Sequence, residues 1–261
     1  MPERLGQNFL NDPAVLERII EASGLKETDF VIEIGPGKGI LTEQLARYVQ
    51  KVVAIELADE LIPALQQKFA ETKNVEIIHE DILKINIPKL LSDYKIQATS
   101  YKLIANIPYY ITSPIIRLFL EQEIQPQEIL LMIQKEVAER IVAKAGKMSI
   151  LAVSVQSYAQ AEILFSVSKN SFSPIPKVDS AVIKITPNKK FEKEIDKKFF
   201  RIVKAGFSAK RKTLLNNLTS SLQLEKNLVE EKIETAGLQP TVRAQELSIK
   251  DWKKLAAILE K

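Results

Sequence analysis

Phe30-Val31-Ile32-Glu33-Ile34 runs straight into Gly35-Pro36-Gly37-Lys38-Gly39, and Ile40 through Tyr48 then has helical spacing. A short apolar run bounded by glycines reads as a buried strand. Strand, glycine-rich turn and helix together form the opening unit of a parallel sheet, and the turn lets backbone approach a ligand at a helix N-terminus. The spacing is G-x-G-x-G rather than G-x-G-x-x-G, so the loop alone does not define the ligand. The next strand, Val52-Val53-Ala54-Ile55, ends in Glu56. That is the place past the loop where an acid holds the hydroxyls of a ribose. A glutamate at a strand end can also be a solvated charge, but the glycine loop before it favours ribose.

Two further strand ends carry chemistry. After a helix over 59–71, Val75–His79 reads as a third strand, followed by Glu80-Asp81-Ile82. Asp81 there can accept from an adenine amino group while Ile82 covers the ring; it can equally cap its own turn. A fourth strand over 101–105 ends in Asn106-Ile107-Pro108-Tyr109-Tyr110. The Asn106 side-chain oxygen and the Ile107 carbonyl are two acceptors. Pro108 fixes φ and has no N–H, so the carbonyl before it is held in one direction. Tyr109 offers a flat face. Two fixed acceptors beside a ring suit an exocyclic amino group such as N6 of adenine, whose lone pair is delocalised until its hydrogens are held away from the ring plane. Alone, Asn-x-Pro-Tyr reads as a strand end with rings in the core. Ligands of open α/β sheets bind outside the carboxyl ends of the strands, so all four features converge on one crevice.

Composition removes other chemistries. The 261 residues contain no cysteine and one histidine, His79. Disulfides, thiolate metal sites, cysteine nucleophiles and serine–histidine triads are therefore excluded, and nothing calls for a metal. A net charge of +4 leans weakly toward a polyanionic partner. No apolar stretch reaches membrane-spanning length and no signal peptide opens the chain, so a cytoplasmic protein without membrane contact is expected.

The remaining segments set the organisation. Residues 1–11 read as an arm, by itself no more than a terminus that packs somewhere. Asp12-Pro13 caps a helix to about Ser23, closed by Gly24. Helices are expected over 112–121 and 134–143 and a strand over 129–133, with an apolar helical stripe over 147–158. Strands follow over 161–168 and 178–186, joined by Asn170-Ser171-Phe172-Ser173-Pro174-Ile175-Pro176-Lys177. In that proline-stiffened loop Phe172 is a candidate to stack on a ligand or to anchor the loop. Pro187-Asn188-Lys189-Lys190 marks a composition shift, giving a domain over 1–187 and a helical one over 188–261. Lys210-Arg211-Lys212 opens a helix there, either a solvated face or a phosphate contact.

These residues resemble the class I S-adenosylmethionine-dependent methyltransferases, and among them the ribosomal RNA adenine dimethyltransferases of the small-subunit type. The resemblance rests on Leu5-Gly-Gln-Asn-Phe-Leu10, Ile32-Glu-Ile-Gly-Pro-Gly37, Glu80-Asp-Ile82, Asn106-Ile-Pro-Tyr109, Phe172-Ser-Pro-Ile-Pro-Lys-Val-Asp-Ser-Ala181, Ala205 through Leu214 and Arg243-Ala-Gln-Glu-Leu-Ser248. It implies an α/β fold: a Rossmann-like, mostly parallel sheet of seven strands with a small all-helical C-terminal domain. It implies S-adenosyl-L-methionine as cofactor, with Asn8, Leu10, Gly35, Glu56, Asp81, Ile82 and Asn106 around it. It gives catalytic roles to Asn106, Ile107, Pro108, Tyr109 and Phe172, the two rings clamping a flipped adenine, and RNA contact to Lys210, Arg211 and Lys212. The implied substrate is small-subunit (16S) rRNA in an immature small ribosomal subunit, dimethylated at N6 of two adjacent adenines of a 3'-terminal hairpin loop by a monomer. The alternatives are a resistance-type methyltransferase of large-subunit RNA and a mainly non-catalytic assembly factor.

Overall fold

The computed structural model describes residues 8–96, 101–188 and 193–260. Arm positions 1–7, including Leu5-Gly6-Gln7 of the matched motif, and the Lys189-Lys190 boundary lie outside the described residues. The chain forms two compact units, Met1–Ala138 with Gln160–Asn188 and Glu139–Ala159 with Lys189–Lys261.

In chain order the elements are β1 (Phe9–Leu10), α1 (Pro13–Ser23), β2 (Phe30–Ile34), α2 (Ile40–Leu45), β3 (Lys51–Glu56), α3 (Ile62–Phe69), β4 (Val75–His79), α4 (Ile87–Asp93), β5 (Tyr101–Asn106) and α5 (Thr112–Leu120). They continue as β6 (Glu128–Gln134), α6 (Lys135–Ile141), α7 (Ile150–Gln156), β7 (Ala159–Val167), β8 (Phe172–Ser173), β9 (Ser180–Pro187), α8 (Lys193–Gly206), α9 (Leu214–Leu222), α10 (Lys226–Thr235) and α11 (Ile249–Leu259). Helix α2 ends earlier than its apolar spacing predicts. Arg47 and Tyr48 donate to Gln44 and Leu45, three residues back, so the helix tightens into a turn there.

A seven-stranded sheet runs in the order β4-β3-β2-β5-β6-β9-β7. Its pairs from β4 to β6 are parallel, and β9 is antiparallel to β6. All five residues of β2 are buried, as are the five central residues of β6 from Ile129 to Ile133. Helices that cover both faces of a parallel sheet require such continuous apolar runs. Strand β2 is the switch point: β3 lies on one side of it and β5 on the other. The crevice therefore opens at the carboxyl ends of β2 and β5.

A second, two-stranded ribbon pairs β1 antiparallel with β8, Leu10 opposite Phe172 and Phe9 opposite Ser173. The Asp12 carboxylate caps α1 by accepting from the Ala14 and Val15 amides, and it accepts from the Ser171 hydroxyl at 2.8 Å. The Asn11 amide donates to the Ser171 carbonyl at 2.8 Å. These bonds fasten the arm to the segment before β8.

The helical unit buries Trp252, Leu214, Leu218, Ile202 and Val203, with Phe207 stacked on Trp252 at 5.4 Å between centroids. Met148, Ala152 and Val153 belong to the same core. The segment 139–159, assigned by sequence to the first domain, thus joins the helical unit, because the α7 stripe buries its apolar face there. Among the described residues no helix is long and apolar enough to cross a membrane.

Candidate active site

The glycine loop follows β2 and packs against the turn after β5. The Gly35 amide donates to the Ile55 carbonyl at 2.9 Å, which ties the loop to β3. Gly37 has φ +60°, and a Cβ there would meet the Phe9 ring at 3.0 Å. Only glycine lets the arm lie this close to the loop.

Glu56 is buried at the end of β3 and accepts three backbone bonds. Its Oε2 accepts from the Gly37 amide at 3.1 Å, and its Oε1 from the Leu57 and Ala58 amides at 2.9 Å each. These bonds hold the carboxylate between two hollows. One is lined by Asn8, Phe9, Leu10, Glu33, Glu56, Asn106 and their neighbours. The other is lined by Glu56, Leu57, Asp81, Ile82, Pro108 and Tyr110, among others. Gly35, Glu56 and Pro108 are common to both, so the two hollows adjoin along the strand ends and are taken together as the crevice.

Asp81 reaches that crevice and also caps its own turn, its Oδ1 accepting from the Leu83 amide at 3.0 Å. The turn-capping reading thus holds, and the residue still lines the crevice. Ile82 is buried beside it. In the other hollow Pro108 has φ −56°, which fixes the Ile107 carbonyl, and Ile107, Pro108 and Tyr109 all line the wall. The Asn106 Nδ2 donates to the Asn8 carbonyl at 3.3 Å. That bond commits the amino side of the amide to the arm and leaves Oδ1 as an acceptor. Tyr109 shares a hydrogen bond with Ser180 at 2.9 Å; burial pushes its phenol pKa up, so the ring stays neutral.

Phe172 is not brought together with the other expected site residues. It is 3% exposed and lies in the core with Leu10, Leu16, Val167 and Val182 rather than on the crevice wall. Pairing of Leu10 with Phe172 covers the ring, and burying that apolar surface outweighs leaving it open for a ligand. Here the ring packs against the arm through Leu10.

Glu33 is a site residue that the sequence reading passed over. It lies on β2, 1% exposed, and lines the crevice. Burial pushes its carboxyl up to about 8. Thr42 opposes that shift, but neither its hydroxyl nor Glu33 Oε2 makes a hydrogen bond of proper geometry. The signal was present: a glutamate inside an otherwise apolar buried strand needs a partner. Phe9 and Tyr110 were also passed over as wall residues.

Lys210, Arg211 and Lys212 belong to the helical unit and are exposed on the turn between α8 and α9. Asn217 Nδ2 donates to the Gly206 and Ala209 carbonyls at 2.7 and 3.0 Å and so braces that turn from inside.

These residues fit S-adenosylmethionine. Glu56 and Asp81 suit its ribose and adenine, and the buried Glu33 oxygen lacks the cationic partner that its methionine end carries. A mostly parallel seven-stranded sheet with this crevice at its switch point defines a class I methyltransferase. The chain belongs to the ribosomal RNA adenine dimethylase family, whose profile matches residues 2–261. It is 44% identical over 255 residues to Ribosomal RNA small subunit methyltransferase A of Dehalococcoides mccartyi, covering 96% of this chain and 86% of the relative. Among solved structures, a dimethyladenosine transferase from Plasmodium falciparum matches with a TM-score of 0.77 and 28% identity, over 95% of both chains. The 23S rRNA methyltransferase ErmE matches with a TM-score of 0.75 and 25% identity, over 97% of this chain and 100% of that one.

Proposed function

We propose that the chain transfers methyl groups from S-adenosylmethionine to N6 of two adjacent adenines in a 3'-terminal hairpin loop of small-subunit rRNA, giving N6,N6-dimethyladenosine during small-subunit assembly. The observation that carries this reading is the Asn106–Tyr109 turn on the wall of the crevice that holds Glu56. When bound, the cofactor supplies a methyl carbon made electrophilic by its sulfonium sulfur. Asn106 Oδ1 and the Ile107 carbonyl accept the two N6 hydrogens and free the nitrogen lone pair for attack. Tyr109 gives the base a face to lie on. In-line geometry does the rest. No side chain need act as a base, because the methylated amine is cationic and loses its proton to water.

The small-subunit substrate is supported by 44% identity to a small-subunit methyltransferase, against 25% to a large-subunit one. Lys210, Arg211 and Lys212 suit contacts to RNA phosphates, which position a structured RNA without reading its sequence. The chain is expected to act as a monomer in the cytoplasm, on immature small subunits.

The test is transfer of labelled methyl to purified undermethylated small and large subunits in parallel, with the product nucleoside identified by mass. Dimethyladenosine in small subunits alone is the expected result. Label only in large subunits would move the chain to the resistance-type reading. Tight binding to small subunits with no transfer would make it an assembly factor.

A further inference from the structure

Ser180 opens β9 opposite Gln134 of β6, and none of its surface is exposed. It stands far from Tyr109 in sequence, yet the two hydroxyls are 2.9 Å apart. Tyr109 is held at its other end as well: the Thr112 hydroxyl donates to the Tyr109 carbonyl at 3.1 Å. The ring is thus fixed at its backbone by the turn into α5 and at its tip by the sheet. A phenol at the edge of a crevice could otherwise turn its hydroxyl to water and swing the ring with it. The sheet edge gives it one partner, in one direction.

We infer that Ser180 is a positioning residue for the methyl-accepting base, acting through the Tyr109 hydroxyl. This rests on the adenine-methyltransferase reading above and adds a residue to it. Tyr109 follows Asn106 by one turn of chain, so the tilt of its ring sets where a base lying on it places its amino group relative to Asn106 Oδ1 and the Ile107 carbonyl. A misplacement of about 1 Å at a reacting centre can cost on the order of 100-fold in rate. Rocking the ring shifts the amine by less, so a loss of roughly tenfold in kcat is expected. Glu56, Asp81 and the glycine loop do not touch Ser180 through any of these bonds, so cofactor affinity is expected to stay unchanged. The second transfer depends more on placement, because only one N–H then remains for two acceptors. The monomethyl product should therefore accumulate.

The experiment uses Ser180→Ala, Tyr109→Phe and the double variant, with undermethylated small subunits as substrate. Cofactor Kd is measured by calorimetry, kcat and KM by transfer, and the mono- to dimethyladenosine ratio by mass. The expected result is a similar fall in kcat for both single variants and no further fall in the double, with cofactor Kd unchanged and the ratio raised. Tyr109→Phe keeps the ring and its packing, so it tests the bond even if Ser180→Ala folds poorly. The inference is overturned if either single variant stays within twofold of the parent in kcat, if the two losses multiply in the double, or if cofactor affinity falls in step with kcat. An inactive parent chain would instead overturn the proposed function, which separates the two failures.

Discussion

The Gly37 amide donates to Glu56 Oε2 at 3.1 Å, so the glycine loop and the acid of the next strand are one unit. Replacing Glu56 by alanine leaves this amide and those of Leu57 and Ala58 without their acceptor. Each unsatisfied buried donor costs about 1–3 kcal/mol. Glu56→Ala is expected to lower stability by about 2 kcal/mol or more and to weaken cofactor binding by at least about tenfold, or 1.4 kcal/mol. Thermal melts and calorimetry check both numbers; cofactor affinity within twofold of the parent would remove Glu56 from the site.

Glu33 gives a pH dependence with a definite sign. Its folded-state pKa is raised to about 8 by burial, while an exposed glutamate ionises near 4.5. Below about 4.5 both states are protonated and nothing is lost. Between about 4.5 and about 8 the unfolded chain ionises first, so the ligand-free protein loses stability as pH rises. Glu56 adds to the upward push and Lys68 opposes it. A cationic ligand end beside Glu33 favours its ionised form, so binding below pH 8 should release a proton and tighten as pH rises. Calorimetry at pH 7 in two buffers of different ionisation enthalpy should detect that proton, and Glu33→Gln should abolish it. Equal proton release by the parent and Glu33→Gln would show that another group is responsible.

Phe172 should behave as a core residue. Phe172→Ala is expected to cost about 3–5 kcal/mol of stability, while Phe172→Leu, which keeps most of the apolar volume, should cost less and retain activity in proportion to the folded fraction. Chemical denaturation alongside the transfer assay checks this. Loss of transfer by a fully folded Phe172→Leu would show that the ring leaves the core to meet the substrate.

The basic turn should act through salt-dependent contacts. Changing Lys210, Arg211 and Lys212 together to alanine removes exposed charge only. RNA binding should weaken and the slope of log affinity against log salt should fall by about 2 to 3, at roughly 0.7–0.9 for each lost phosphate contact. Cofactor affinity should not change. An unaltered salt slope would place the RNA contact elsewhere.

The features legible in the sequence were those written locally. Strand ends, caps and the Asn106 turn each follow from a few neighbouring residues, and the parallel sheet brings them together. Asp12-Pro13 and Gly24 gave both ends of α1 as the structure has them. The fate of Phe172 was not legible, because it depends on pairing with Leu10, a partner far along the chain. The same holds for Ser180 and Tyr109. The stripe over 147–158 was legible as apolar, but not which unit it would complete. Glu33 lay hidden in a strand whose pattern was otherwise plain.

Leu10 leaves the ribosome early, and Phe172, the residue it lies against, leaves much later. The Ser171 hydroxyl that Asp12 needs is equally late. The arm thus has two seats: one made with β2 to β5, at the glycine loop and the Asn106 amide, and one supplied only by the later β8 segment. The arm that walls the crevice is therefore held by both halves of the chain, and its last partners are made only with the second.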